Sequence, residues 1–225
     1  HLRDPDWRLL ETFQRASGGR IRMLTLAPEL PGAMALIHRA AAEGIWVAIG
    51  HTDASSAELD QAVRAGAKVA THLGSGCPEK LDRHDNIIQR ILGIPQLIAT
   101  VIPDLLHVPM PAFGNLIRLL GPGRLALTTD SMSAAGAPPG RYRLGALEME
   151  VGVDGVVRLP GTGQFAGSSL KMVDGLRNAV RAGGLDVAAA WRAATVLRDR
   201  MFPGLRPPPL LLPLAVQVPT DVRAM

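Results

Sequence analysis

Cysteine is almost missing from this chain: Cys77 is the only one in 225 residues. A single thiol cannot form an internal disulfide, which excludes a disulfide-stapled scaffold and fits a reducing compartment, so a cytoplasmic location is expected. Aromatic residues are also scarce, at 4%. The 24 Lys and Arg are scattered with few rings between them, and the net charge is only +4. A nucleic-acid surface needs a clustered basic face with stacking rings, so no nucleic-acid partner is expected. Long apolar runs are missing too. None approaches the ~18 to 20 residues that span a bilayer, and no secretory signal pattern opens the chain, so no membrane partner is expected. Walker and Rossmann glycine spacings are absent as well.

What is present is a 47% hydrophobic chain, enough for one substantial core. Trp7, Leu9, Leu10 and Phe13 recur at helical spacing and predict a helix over 4–17. Four further helices are predicted over 32–43, 57–65, 86–92 and 115–120, with Gly44 and Gly66 as stop signals. Between them, short β-rich runs at 21–26, 45–49, 67–71, 96–102 and 124–130 predict five strands. These runs are nearly continuous in apolar residues, as in parallel strands covered on both faces, and strands alternating with helices mean βα units. After Asp130 the pattern changes. Runs at 142–151 and 156–159 around Val153-Asp154-Gly155 predict a β-hairpin excursion, and helices are predicted over 168–181 and 187–200. The segment 203–214 is rich in Pro and Leu and reads as irregular. The expected division is a domain over 1–200 and a tail over 201–225.

The five strands end at Glu29, His51, His72, Asp104 with His107, and Asp130. A lone acid or imidazole at a strand end usually caps a turn or is buried for structural reasons. Five in succession on one rim point to chemistry, because α/β folds place their sites at the C-terminal ends of strands. His51 and His72, from adjacent parallel strands, are positioned to hold one divalent cation, with zinc first and iron or cobalt as alternatives. Asp130 is the candidate proton shuttle, and His107 a candidate hydrogen-bond partner for substrate. His38, mid-helix, takes the structural reading. His84 lies among loop charges, and Cys77 has no base beside it.

Several segments carry a family resemblance: Leu24-Thr-Leu-Ala-Pro-Glu29, Gly50-His51-Thr52, Ala70-Thr-His-Leu73, Asp104-Leu-Leu-His107, Leu127-Thr-Thr-Asp130, Gly140-Arg-Tyr-Arg-Leu-Gly145 and Gly167-Ser-Ser-Leu170. Over roughly residues 20–200 they resemble the N-acetylglucosamine-6-phosphate deacetylases of the amidohydrolase superfamily. The resemblance implies a partial (β/α)8 TIM-type barrel, about the last five βα units, with His51 and His72 as metal ligands and Asp130 as general base and acid. It also implies substrate contacts from Ser75, Gly76, Arg83, His107, Phe165, Ala166 and Gly167, an amino sugar phosphate substrate, and a homodimer in the full-length protein.

The family's His-x-Glu-Gly-Pro segment, which carries its acidic metal ligand, has no counterpart, and Glu29 matches a different family acid. Ser75 stands where the family has Asn, Gly76 where it has Ala, and Leu105 where Gly is common. The chain opens on His1, and a gene fragment or frameshift is expected to account for both ends. Two further readings stand beside the deacetylase: a non-catalytic remnant or sugar-binding pseudoenzyme, and another amidohydrolase acting on a cyclic amide.

Overall fold

Short apolar runs that stop at glycine or at a polar residue set the strands of the main sheet. The computed structural model describes residues 3–203. Five strands, β1 (Met23–Leu26), β2 (Trp46–Ile49), β3 (Ala67–Ala70), β4 (Ile98–Val101) and β5 (Leu125–Leu127), pair in that order. All four pairings are parallel. The sheet is therefore open among the described residues, with β1 and β5 at its edges. Strand β4 is buried throughout, and so is edge strand β5, which α7 covers, whereas every residue of edge strand β1 retains some exposure.

Helices cross between the strands: α1 (Trp7–Ala16) before β1, then α2 (Ala33–Ala42), α3 (Ser56–Ala65), α4 (Ile87–Leu92) and α5 (Met110–Arg124). Ser55 starts α3 with a capping box, accepting from the Glu58 N–H while Glu58 accepts from the Ser55 N–H. The last predicted crossover helix, 115–120, is a longer run. It begins after Pro109, with Pro111 in a first turn that needs no amide donor, and is interrupted at Gly121, where Pro122 follows. Two C-terminal helices, α6 (Met172–Arg181) and α7 (Val187–Met201), pack on each other, and α7 covers β5. One core joins Ile37, Ile49, Leu59, Leu97, Val101 and Phe113.

The predicted hairpin is instead a three-stranded antiparallel sheet, β6 (Gly140–Leu144), β7 (Leu147–Val151) and β8 (Val157–Arg158). The run at 142–151 folds back on itself at Gly145-Ala146, where Gly145 has φ +60°. That turn sits inside an apolar run, which hid it. Buried Met149, Val151 and Val157 give this sheet its own small core. Met201 ends α7, and most of the predicted tail lies outside the described residues. No helix among the described residues is long and apolar enough to cross a membrane.

Candidate metal and substrate site

Residues 51, 72 and 130 leave their strands in the left-handed backbone region, with φ of +53° at His51, +33° at His72 and +47° at Asp130. The one other non-glycine residue with positive φ among those described is Leu105, at +63°. Such conformations cost about 1–3 kcal/mol each and persist where the surroundings impose them, commonly at functional sites. Here all four fall on the rim picked out by the strand ends.

The two imidazoles meet. Nε2 of His51 lies 3.0 Å from Nε2 of His72, and the rings stand edge to face at 82°. Several contacts impose this. Gly50 precedes His51, and a Cβ there would lie 2.1 Å from Thr71 Cγ2, so only glycine lets the strand end pass. The Glu29 carboxylate accepts from the Thr52 hydroxyl and from the Asp53 N–H, which ties down the chain beyond His51. The His72 N–H donates to Thr100 Oγ1 at 2.6 Å. Its ring Nδ1 lies 3.2 Å from the Ser75 carbonyl. A carbonyl only accepts, so Nδ1 carries the proton and Nε2 is left with a lone pair.

Two nitrogens bonded to one tetrahedral zinc at about 2.0–2.1 Å lie ~3.3 Å apart. The observed 3.0 Å and the lone pair on His72 fit that donor set. Among the described residues no group of three or more His, Cys, Asp or Glu gathers tightly enough to hold a metal ion. The site therefore offers two imidazole ligands, with the Asp130 carboxylate near enough to act electrostatically on His51.

Burial holds the His51 imidazole below its ordinary pKa, the neighbouring His72 adds to this, and Asp130 opposes both. An imidazole that resists protonation stays available as a ligand. Where the unfolded chain takes up the His51 proton and the folded one does not, stability falls as pH drops from about 6.5 towards the lower folded value. In metal-free protein, the NMR titration of the His51 ring is expected to have its midpoint below about 6.5, the unperturbed value. A midpoint above it would place the ring beside a dominant negative charge.

The substrate candidates fall in two groups. The loop after β3 brings Ser75 and Gly76 over the imidazole pair. A Cβ on Gly76 would come within 2.9 Å of His51 Nδ1 and 2.8 Å of His72 Cε1, and its φ is +63°. A cavity of about 20 Å³, room for about one water, is lined there by His51, Thr71, Ser75, Gly76 and Cys77 among others. Burial raises the Cys77 thiol above its usual pKa, which leaves it protonated. The second group hangs on Asp130. Ser168 donates its N–H to the Asp130 carbonyl at 3.4 Å, and Met132 donates to the Ser168 carbonyl at 3.0 Å. This bridge sets Phe165, Ala166 and Gly167 on the rim, and the Phe165 ring lies 4.8 Å from that of His107.

Arg83 is exposed on the loop before α4 and bonds to no other described residue. His38 and His84 are also exposed, apart from the pair. One residue of this rim, Arg90, escaped the sequence reading. It bonds to Asp85, to the Asp53 side chain and to the Ala54 carbonyl, clamping two rim loops together. Asp104, already marked with His107 at the end of its strand in the sequence, bonds to the His107 ring.

No protein-family model matches the chain. It is 33% identical over 178 residues to the N-acetylglucosamine-6-phosphate deacetylase of Lysinibacillus sphaericus, covering 79% of this chain and 46% of the relative. It is 36% identical over 177 residues to the enzyme of the same name from Bacillus subtilis (strain 168), covering 79% and 44%. An N-acetylgalactosamine-6-phosphate deacetylase of Escherichia coli O157:H7 is 33% identical, covering 86% and 50%. The chain thus spans about half the length of the curated relatives it matches. Among solved structures, a mutant N-acetyl-D-glucosamine-6-phosphate deacetylase from Mycobacterium smegmatis, in complex with N-acetyl-D-glucosamine-6-phosphate, superposes with a TM-score of 0.81. It is 35% identical and is matched over 88% of this chain and 53% of that one.

Proposed function

We infer the function from the premise that the chain is a relative of the N-acetylglucosamine-6-phosphate deacetylases over about half of their length. We propose that it carries the imidazole and proton-transfer part of a metal-dependent deacetylase, which cleaves the acetamide of an N-acetylhexosamine 6-phosphate to the free amine and acetate. The five parallel βα units fit an arc of a (β/α)8 barrel, whose chemistry sits on the rim described above.

The observation that carries the reading is the convergence of Nε2 of His51 and Nε2 of His72 at 3.0 Å, with Nδ1 of His72 turned to the Ser75 carbonyl. These two residues are the proposed ligands. A divalent cation there, zinc first, would supply an ionised water nucleophile near neutral pH. Asp130 accepts the proton of the attacking water and returns it to the leaving nitrogen. His107 bonds to the sugar or its acetamide, and Phe165 to Gly167 form the wall behind it. Arg83, exposed and without an ion pair among the described residues, is the proposed phosphate contact, reaching into the site of a second copy in a homodimer. The relatives include enzymes named for both the glucosamine and the galactosamine epimer, so the substrate class is the N-acetylated hexosamine phosphate. The single cysteine fits a cytoplasmic enzyme.

Because the described residues supply two imidazoles and no tighter ligand cluster, the 225-residue chain on its own is expected to bind zinc weakly. Its acetate release from N-acetylglucosamine 6-phosphate is expected to be undetectable. Metal analysis after gel filtration and an acetate assay with both epimers check this. Stoichiometric zinc retention with turnover would show that the chain completes the site by itself. Weak zinc uptake independent of His51 and His72 would instead favour a non-catalytic sugar-phosphate-binding protein.

A further inference from the structure

Asp104 has no part in the reading above, yet its carboxylate is the most fully used on the rim. Its side chain is 6% exposed and that of His107 15%. Oδ1 accepts the N–H of Leu106 and of His107, both at 2.9 Å. Oδ2 lies 2.6 Å from Nδ1 of the His107 ring. The left-handed Leu105, at φ +63°, is the turn that allows one carboxylate to reach all three donors. Burial pushes the Asp104 carboxyl up, but the bonds from the His107 ring and the two N–H groups outweigh it, and the net shift is downward. The group is thus ionised at neutral pH, and an ionised carboxylate only accepts.

We propose that Asp104 is a positioning residue that fixes His107 as the Nδ1-protonated tautomer and so leaves Nε2 as the ring nitrogen available to substrate beside Phe165. The proposal rests on the deacetylase reading only for the identity of that substrate. With Nδ1 committed to Asp104, the ring cannot turn over, and the Phe165 ring at 4.8 Å, tilted by 36°, packs beside it. Fixing tautomer and orientation through a buried carboxylate is a recurring use of this pair, and the loss of such a partner costs far more than a hydrogen bond.

The substitution Asp104→Asn separates this role from a structural one. The introduced amide keeps an oxygen for the Leu106 and His107 N–H groups, so the turn survives. It must then offer its NH₂ to Nδ1, which reverses the tautomer. The opposite amide orientation would set its NH₂ against two N–H donors.

Long-range ¹H–¹⁵N spectra of the full chain at neutral pH read both forms directly. The expected result is Nδ1–H in the unsubstituted protein and Nε2–H in Asp104→Asn, with unchanged backbone shifts at residues 106 and 107. N-acetylglucosamine 6-phosphate is expected to shift His107 Nε2 in the unsubstituted chain, and to bind Asp104→Asn about 10- to 100-fold more weakly, the range for lost supporting partners. An Nε2–H ring in the unsubstituted protein overturns the proposal without any variant. So does a reversed tautomer that binds the sugar phosphate equally well. If the sugar phosphate shifts no rim residue of the unsubstituted chain, the deacetylase reading fails, while the tautomer result still decides the role of Asp104.

Discussion

Replacing His51 with alanine is expected to lower the affinity for zinc by more than about 100-fold, since losing even an outer-shell partner costs 10- to 100-fold. His72→Ala should do the same. Each removes one of the two nitrogens that meet at 3.0 Å, and one imidazole left on a rim is an ordinary surface ligand. The two substitutions differ in what else they disturb. His51 sits at the surface with its ring only partly desolvated, so alanine there opens little cavity, and the Glu29 contacts to Thr52 and Asp53 that shape the loop do not involve its ring. His72 is 6% exposed, so its removal also costs packing, and His51→Ala is the cleaner test. A chelator-competition titration reads the affinity. His84→Ala, in an exposed loop, is the control and should leave it unchanged.

The second large effect concerns the fold beneath the site. The Arg124 guanidinium donates to the carbonyls of Leu97, Leu92 and Ile91, each at 3.0 Å. It thereby closes the C-terminal end of α4 and joins it to the start of β4, a favourable place for a cation. Desolvation by burial lowers its pKa, though not enough to discharge an arginine. Arg124→Ala leaves three carbonyls without their donor, and hydrogen bonds to charged groups are worth about 1.5–3 kcal/mol each and are not additive, so a loss of about 3 kcal/mol is expected. For a domain of this size that corresponds to a Tm lower by roughly 6–12 °C. Arg124→Lys should recover little, because an ammonium lacks the planar fork that reaches three acceptors at once. Calorimetry or thermal circular dichroism measures both, and a Tm drop below about 2 °C would mean water satisfies those carbonyls equally well.

Arg124 also shows where sequence reading stops. It opens the run that ends in Asp130, and that run was legible as a strand from its apolar residues. Nothing in it said that the first side chain turns back to carbonyls about thirty positions earlier. Arg90 is similar, because its partners at Asp53 and Ala54 are set by the approach of two loops. The strands and their order were legible, since in parallel βα units an apolar run ending in Gly, His or Asp marks the rim directly. The meeting of His51 and His72 was legible for the same reason, as neighbouring parallel strands bring their ends together. The left-handed turn at each of these residues was not, because a histidine or aspartate at positive φ is imposed by its surroundings and leaves no local signature. The fold-back at Gly145-Ala146 was missed for a different reason. Its flanking leucines, Leu144 and Leu147, continue the hydrophobic pattern across the turn, although both are exposed.

The central claim is that His51 and His72 act together as a metal pair, and a zinc titration followed through the ring nitrogens of every histidine tests it most directly. The account predicts that Nε2 of His51 and Nε2 of His72 move together towards coordinated shifts, with one common affinity, as zinc is added, while His38 and His84 stay where they were. Coordination at only one of the two rings, or first at His38 or His84, would contradict it.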